Sequence, residues 1–278
     1  MIALLRFSAN LSMLFGEVPF LQRFDAAARA GFGAVEFLWP SGIDLDDLVA
    51  TKESACVDVA LFNVDAGDMP KGDRGFPSDP SRRAWWRERF DAALALAARL
   101  DCSRLNVLAG NAIDGMKREV QIDCLVDNLR WAVPRAEQAG ITLVLEALNR
   151  FEHPRYLFTR SDEVQAVMGR ICSRTVKFQY DVYHMQRMEG NLIATLRRCV
   201  DSIGHIQIAD SPDRHEPGTG EINYARVLAE VERLGYKGYI GLEYNPSGST
   251  DESLAWVPPD KRKTATTADL DFCAHTLA

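Results

Sequence analysis

The sequence is poor in several features that mark large classes of proteins. Its 278 residues include only five histidines and six cysteines, and no two cysteines form a Cys-x-x-Cys pair. The cysteines are therefore interpreted as reduced, mostly packed thiols of a cytoplasmic protein rather than as a disulfide framework. The net charge of -7 comes without a basic patch, which argues against a nucleic-acid partner.

Long hydrophobic runs are also missing. No apolar stretch approaches the roughly twenty residues that cross a bilayer, and polar residues interrupt the N-terminal segment MIALLRFSANLSMLFG at Arg6, Ser8 and Asn10. No secretory leader is recognised there. The segment is better interpreted as a first strand, and no membrane partner is expected.

Short β-rich runs alternate with longer helical patterns along the whole chain. This alternation is typical of parallel strands joined by crossover helices. In one helix Trp86, Phe90, Leu94 and Ala97 recur at helical spacing. The eight predicted strands lie near residues 5–10, 34–38, 57–62, 103–108, 141–147, 175–181, 203–209 and 238–243.

Eight such units predict an α/β fold of the (β/α)8 TIM barrel type, which typically takes about 250 residues. We expect a single domain over residues 1–278, with residues 251–278 wrapping the barrel exterior. The apolar helices outside the barrel are compatible with a homo-oligomer. The longest irregular segment, residues 63–80, follows the third strand and is interpreted as an active-site lid.

Four predicted strands end in a side chain that can bind a divalent cation. Strand alternation points all four side chains into the barrel, at the mouth where sites of this fold lie. Any one of them alone would be interpreted as a helix cap or as the partner of a basic residue. The four residues are Glu146 in LVLEALN, Asp181 in FQYDVYH, Gln207 in GHIQIAD and Glu243 in YIGLEYN.

Together these residues favour a metal site. Buried carboxylates are unfavourable unless they are paired or bind a metal, so three acids and an amide at one mouth require a cation or a basic cluster. Hard cations prefer oxygen ligands, and the set contains no histidine. The sequence therefore predicts Mg²⁺ or Mn²⁺ rather than Zn²⁺.

These motifs resemble the xylose-isomerase-like TIM barrels, and among them the hydroxypyruvate isomerases. The resemblance runs from FSANLSMLF through GDRGF to GLEYNP. It implies that Glu146, Asp181, Gln207 and Glu243 bind the metal and that Glu146 and Glu243 also form the catalytic acid/base pair. Glutamine as the third ligand resembles the hydroxypyruvate isomerase branch more than the ketose 3-epimerase branch.

The implied activity is a metal-dependent isomerisation of a small 2-oxo acid in carbohydrate or glyoxylate metabolism. Hydroxypyruvate would give 2-hydroxy-3-oxopropanoate through an enediolate, with one carboxylate removing a proton and the other delivering one. A 2-oxo-tetronate isomerase and a ketose 3-epimerase are the enzyme alternatives. A metabolite-binding barrel without catalysis is disfavoured by the two glutamates. Endonuclease-type relatives use histidine-rich metal clusters, and a total of five histidines in this chain argues against an endonuclease.

The carboxylate of a 2-oxo acid requires a fixed cation, ideally the bidentate guanidinium of arginine. Arg214 in ADSPDRHEPGTGEINY is the first candidate, with His215 beside it, and Arg74 in the segment 63–80 is the second. A solvated surface arginine is the alternative for both.

Two further residues are candidates for substrate binding. His184 in DVYH resembles the substrate-contacting histidine of the family, although a packed histidine is an equal alternative. Asn149 in EALN could orient Glu146 or the substrate, or cap a helix. His205 is expected in the core, whereas His153 and His275 are interpreted as surface residues.

Overall fold

The computed structural model describes residues 3–274, which form a closed barrel of eight parallel strands in the order of the sequence. This confirms the predicted (β/α)8 fold, and every predicted strand is present. The strands are β1 Arg6–Asn10, β2 Ala34–Phe37, β3 Asp58–Asn63, β4 Arg104–Asn106, β5 Thr142–Glu146, β6 Val176–Asp181, β7 Ile203–Ile208 and β8 Tyr239–Leu242.

The α-helices between the strands bury one apolar face each. In the third helix Trp86, Phe90 and Ala97 are buried at the predicted helical spacing. No helix within residues 3–274 is long and apolar enough to cross a bilayer. The helices are α1 Gln22–Arg29, α2 Leu45–Ala55, α3 Arg83–Leu100, α4 Arg118–Gln138, α5 Ser161–Ile171, α6 Val182–Met188, α7 Leu192–Cys199, α8 Tyr224–Arg233 and α9 Thr250–Ser253.

The register of the barrel brings the polar strand ends together. Glu146 of β5 lies opposite Gln179 of β6, and Asp181 of β6 lies opposite Gln207 of β7. Gln207 lies opposite Gly241 of β8, two residues before Glu243. Since neighbouring parallel strands end on the same side, all four proposed ligands come to the carboxyl-terminal mouth of the barrel.

Two segments outside the barrel are singled out by the sequence. Residues 63–80 contain a 3-10 turn at Met69–Lys71 and lead into a second one at Pro80–Arg82, and their movement as a lid stays a prediction. After α9, the buried Trp256 contacts Phe7 of β1 edge-to-face at 5.5 Å between ring centroids. The C-terminal segment thus packs against the first strand.

Candidate active site

A cavity of about 210 Å³ lies at the carboxyl-terminal ends of the strands. Cavities for drug-sized ligands typically take about 300–1,000 Å³, so this one suits a small metabolite. Five predicted site residues line it, namely Arg74, Glu146, His184, Arg214 and Glu243.

Glu146 is the last residue of β5 and is buried. Its Oε2 atom accepts hydrogen bonds from Asn106 Nδ2 at 3.0 Å and from Gln179 Nε2 at 2.9 Å. Burial, followed by repulsion from Glu243 and Asp181, raises the pKa of Glu146 well above its usual range. The carboxyl group therefore gives up its proton less readily than an exposed glutamate does.

Glu243 lines the same cavity, immediately after β8. Its Oε1 atom accepts a hydrogen bond from Asn10 Nδ2 at 3.0 Å, and its Oε2 atom accepts one from Arg214 Nη2 at 2.7 Å. Burial raises the pKa of Glu243 to about 8, an effect that Arg214 only partly offsets. Both carboxyl groups therefore keep a proton to a higher pH than an ordinary glutamate does.

Asp181 is the last residue of β6, and its two carboxylate oxygens have different surroundings. Oδ1 caps α6 by accepting hydrogen bonds from the backbone N–H groups of Tyr183, at 2.8 Å, and His184, at 3.4 Å. Oδ2 is buried and has no hydrogen-bond partner among residues 3–274. Burial raises the pKa of Asp181 to about 6. One oxygen therefore caps the helix, whereas the other lies 3.5 Å from His184 Nε2 and 3.9 Å from Arg214 Nη2.

Gln207 presents its two amide ends to different neighbours. Its Nε2 atom donates to Glu36 Oε1 at 2.8 Å, and its Oε1 atom accepts from Gln179 Nε2 at 2.7 Å. The carbonyl oxygen therefore faces away from Glu36 and toward the strand that precedes β7. Carboxylate and amide oxygens are the ligand types that Mg²⁺ and Mn²⁺ prefer. Among the described residues, Glu146 and Asp181 lie close enough, together with His184, to share one ion.

His184 lies close enough to Glu146 and Asp181 for the three groups to share a metal ion. Its Nε2 atom is 3.5 Å from Asp181 Oδ2 and 4.0 Å from Glu146 Oε1. However, its Nδ1 atom accepts the backbone N–H of Asn149 at 3.3 Å, and a backbone donor cannot reverse. Burial lowers the pKa of His184 well below its usual range, so the ring is neutral with its proton on Nε2. In this tautomer His184 presents an Nε2–H donor to the cavity.

Arg214 is surrounded by acids. Its Nη2 atom lies 2.7 Å from Glu243 Oε2 and 3.9 Å from Asp181 Oδ2, and its Nη1 atom lies 3.2 Å from Glu152 Oε2. Only 12% of its side chain is exposed. The guanidinium group therefore acts as the counter-charge of the buried carboxylates.

Arg74 has a different environment. Its Nε atom donates to His153 Nδ1 at 3.1 Å, and its Nη1 atom donates to the backbone carbonyls of Met69, at 2.9 Å, and Asp73, at 2.6 Å. No carboxylate among the described residues lies within ion-pair distance of it. Its charge is therefore available to an anion in the cavity.

The two remaining predicted substrate residues contact protein groups in this structure. The Asn149 side chain is buried, with Nδ2 2.8 Å from His184 Nδ1 and Oδ1 accepting the backbone N–H groups of Phe151 and Glu152. His215 Nδ1 is 2.7 Å from the Asn245 carbonyl oxygen. A substrate contact for either residue stays a prediction.

The remaining histidines agree only in part with the sequence interpretation. His205 is buried in the core as expected, and His275 lies outside the described residues. The surface interpretation of His153 is wrong, because this residue lines the cavity with 13% of its side chain exposed. Sequence reasoning also missed Glu36, although an acid within the apolar run AVEF was a usable signal.

The comparison with known families agrees with this geometry. Residues 24–259 match the family model described as a xylose isomerase-like TIM barrel. The chain belongs to this family. The resemblance seen in the sequence motifs is thereby confirmed, and the closed eight-stranded barrel agrees with the TIM barrel of that description.

Relatives of this family member share almost its whole length. It is 41% identical to the hydroxypyruvate isomerase of Escherichia coli (strain K12), over 92% of the chain and 99% of that protein. It is 39% identical to a 2-oxo-tetronate isomerase of Haemophilus influenzae, over 90% of the chain and 97% of that protein. The family member described here is accordingly an isomerase.

Solved structures of similar shape carry other names. A crystal structure titled AP endonuclease, family 2, from Brucella melitensis superposes with a TM-score of 0.88 at 39% identity, covering 92% of the chain and 98% of that protein. A D-psicose 3-epimerase from Clostridium cellulolyticum H10 superposes with a TM-score of 0.72 at 21% identity, covering 88% of the chain and 87% of that protein. At 21% identity, the similarity to the epimerase shows only that the two proteins share a fold.

Proposed function

We propose that the chain is a metal-dependent isomerase that converts hydroxypyruvate into 2-hydroxy-3-oxopropanoate. The observation that carries this proposal is the placement of Glu146 and Glu243 in one small cavity with a cation, Arg74, that forms no ion pair with any carboxylate of residues 3–274. The names of the full-length relatives support a small 2-oxo acid as substrate. Free cysteines at all six positions support a cytoplasmic location.

The reaction moves one proton between neighbouring carbons. A base removes a proton from C3 of hydroxypyruvate, the electron pair forms a C2–C3 double bond, and a proton is then delivered to C2. The C3 hydroxyl loses its proton as C3 becomes an aldehyde, and the oxygen on C2 gains one. Glu146 and Glu243 would remove and deliver the carbon-bound proton, one on each side of the enediolate. His184 Nε2–H would donate a hydrogen bond to the substrate oxygen that gains negative charge.

Four residues would hold the cation in this proposal. Its donor set is Glu146, Asp181, Gln207 and Glu243, supported by the buried Asp181 Oδ2 that has no hydrogen-bond partner within residues 3–274. Bound Mg²⁺ or Mn²⁺ would polarise the substrate carbonyl and stabilise the negative charge of the enediolate. Both glutamates line the cavity in which this charge would develop, within reach of the carbons beside it.

We assign the substrate carboxylate to Arg74 rather than to Arg214, reversing the order that the sequence favours. Arg214 is already engaged by Glu243 and Glu152. Hydrogen bonds to charged groups contribute about 1.5–3 kcal/mol, so Arg74→Ala should raise KM for hydroxypyruvate roughly 10- to 100-fold while kcat changes less. Steady-state kinetics measure this.

The matched control for Arg74 is Lys71→Ala in the same segment, where the lysine side chain is 83% exposed. This variant should keep the KM of the unchanged protein. A fall in kcat at constant KM for Arg74→Ala would contradict the assignment, and Arg214 would then become the anchor to test.

The proposal is tested with a substrate panel in deuterium oxide, with and without Mg²⁺ or Mn²⁺. Hydroxypyruvate, a four-carbon 2-oxo-tetronate, a ketose and DNA with an abasic site are compared, and proton NMR follows deuterium uptake beside the carbonyl. We expect metal-dependent exchange and isomerisation of hydroxypyruvate, and no DNA cleavage. If the protein preferred the tetronate, the proposed substrate would change. If neither oxo acid took up deuterium, the proposal would be refuted.

A further inference from the structure

Glu36 is a buried acid on β2 that the proposed reaction does not use. Its side chain is fully buried and accepts hydrogen bonds from four neighbours. Oε2 accepts from Ser8 Oγ at 2.7 Å and is 2.8 Å from His205 Nε2. Oε1 accepts from Gln207 Nε2 at 2.8 Å and from Asn10 Nδ2 at 3.3 Å. Such a complete set of donors satisfies a carboxylate and no other side chain of this size.

The backbone leaves room for this carboxylate. Gly241 of β8 lies opposite Gln207, and a Cβ atom added to it would overlap both Glu36 oxygens and come within 2.5 Å of Glu36 Cδ. A larger residue at position 241 would displace the Glu36 side chain. The barrel interior is therefore shaped around the Glu36 carboxylate.

Glu36 begins a chain of hydrogen bonds that reaches a proposed catalytic residue. Gln207 donates to Glu36, Gln179 donates to Gln207 Oε1 at 2.7 Å, and the same Gln179 nitrogen donates to Glu146 Oε2 at 2.9 Å. A carboxylate accepts hydrogen bonds but cannot donate them. Glu36 thus requires the NH₂ group of Gln207 on its own side and directs the carbonyl oxygen to the other side.

A second connection leads from Glu36 to the other proposed catalytic residue. Asn10 Nδ2 lies 3.3 Å from Glu36 Oε1 and 3.0 Å from Glu243 Oε1. Because one amide group contacts both acids, the position of Glu36 also restrains Glu243. Two members of the proposed donor set therefore depend on a residue that lies outside it.

We propose that Glu36 is a positioning residue that holds the Gln207 amide with its oxygen, and not its NH₂ group, toward the proposed cation. This inference rests on the proposed metal-dependent function. With the amide reversed, its N–H groups would point at a cation and bind it unfavourably. Residues that orient metal ligands typically change metal affinity by about 10- to 100-fold when they are replaced.

The first test is Glu36→Gln, which preserves shape and removes the requirement for a donor at Gln207. The full chain is freed of metal with a chelator, and Mn²⁺ binding is measured by isothermal titration calorimetry. We expect Kd to rise roughly 10-fold or more. The control is Glu230→Gln on α8, which changes another acid held by side-chain donors, Arg197 and Arg233, away from the cavity. It should leave Kd unchanged.

The decisive test asks whether Glu36→Gln weakens or strengthens Mn²⁺ binding when residue 207 is itself changed. In Gln207→Glu, two carboxylates face each other and should weaken both the fold and Mn²⁺ binding. Adding Glu36→Gln then supplies an amide donor to the new carboxylate, whose second oxygen faces the cation. Glu36→Gln should therefore weaken binding beside Gln207 and strengthen it beside the introduced glutamate.

The outcomes separate this inference from the proposed function. If the unchanged protein binds no Mn²⁺, the metal proposal fails and the positioning role fails with it. If it binds Mn²⁺ and Glu36→Gln has no effect, or weakens binding in both backgrounds, Glu36 has only a structural role. Should Glu36→Gln alone fail to fold, the unfolding midpoints of Gln207→Glu with and without Glu36→Gln decide. A higher midpoint for the double variant supports the inference, and a lower one overturns it.

Discussion

Replacing Glu146 or Glu243 by glutamine is expected to lower kcat for hydroxypyruvate isomerisation by roughly 10²- to 10⁴-fold, the usual contribution of a general acid or base. Glutamine keeps the size and the hydrogen-bonding reach of each side chain but cannot take up or release the proton. Coupled assays of aldehyde formation measure the loss. The control, Glu230→Gln, changes an acid outside the cavity and should retain the activity of the unchanged protein.

The two glutamine variants should differ from each other in deuterium oxide. A variant that keeps the base acting at C3 can still exchange the C3 protons of hydroxypyruvate, even though it forms little product. A variant that keeps only the group acting at C2 should show the opposite behaviour, with exchange at C2 of 2-hydroxy-3-oxopropanoate. This comparison assigns the two roles. If both variants isomerised hydroxypyruvate as fast as the unchanged protein does, these residues would not be the acid/base pair.

Arg214→Met is expected to destabilise the metal-free protein by about 3–5 kcal/mol, the usual result of removing one partner of a buried ion pair. The reason is that Glu243 and Asp181 would lose their nearest positive charge. Urea unfolding in the presence of a chelator measures the change. Added Mn²⁺ should restore much of the lost stability, because it supplies positive charge to the same acids.

A matched control for this variant is Arg170→Met, which breaks an exposed pair with Asp123 on the barrel exterior. Exposed pairs contribute little to stability, so the free energy of unfolding should barely change, with or without Mn²⁺. If Arg214→Met were as stable as this control in chelator, the guanidinium group would not be the counter-charge of the cavity. If added Mn²⁺ did not restore the stability lost in Arg214→Met, these acids would not be the groups that bind the metal.

The sequence predicts the fold well because strand and helix periodicities are local properties. It also predicts Glu146, Asp181 and Glu243 at one mouth, since parallel strands all end on the same side. It cannot show that Arg214 pairs with Glu243, that Asn149 fixes the tautomer of His184, or that His153 reaches Arg74. These contacts depend on how loops fold over the mouth, which no repeating pattern in the chain encodes.

Glu36 illustrates a second limit. Its partners come from β1 and β7, and the contact between Asn10 and Glu243 requires β1 beside β8. Strand spacing predicts how many strands there are but not which side chains meet across the barrel interior. The acid within AVEF could have been noticed, yet its partner Gln207 lies 171 residues later in the chain.

Pairing of β1 with β8 closes the barrel and also sets the order in which the cavity can assemble. During synthesis the chain emerges from its N-terminus, so Asn10 must wait for the last strand before it can contact Glu243. Repulsion of Glu146 by Glu243 adds to its repulsion by Asp181 only when the last strand is in place. The proposed set of four metal ligands would therefore be complete only in a closed barrel, because Glu243 follows the last strand.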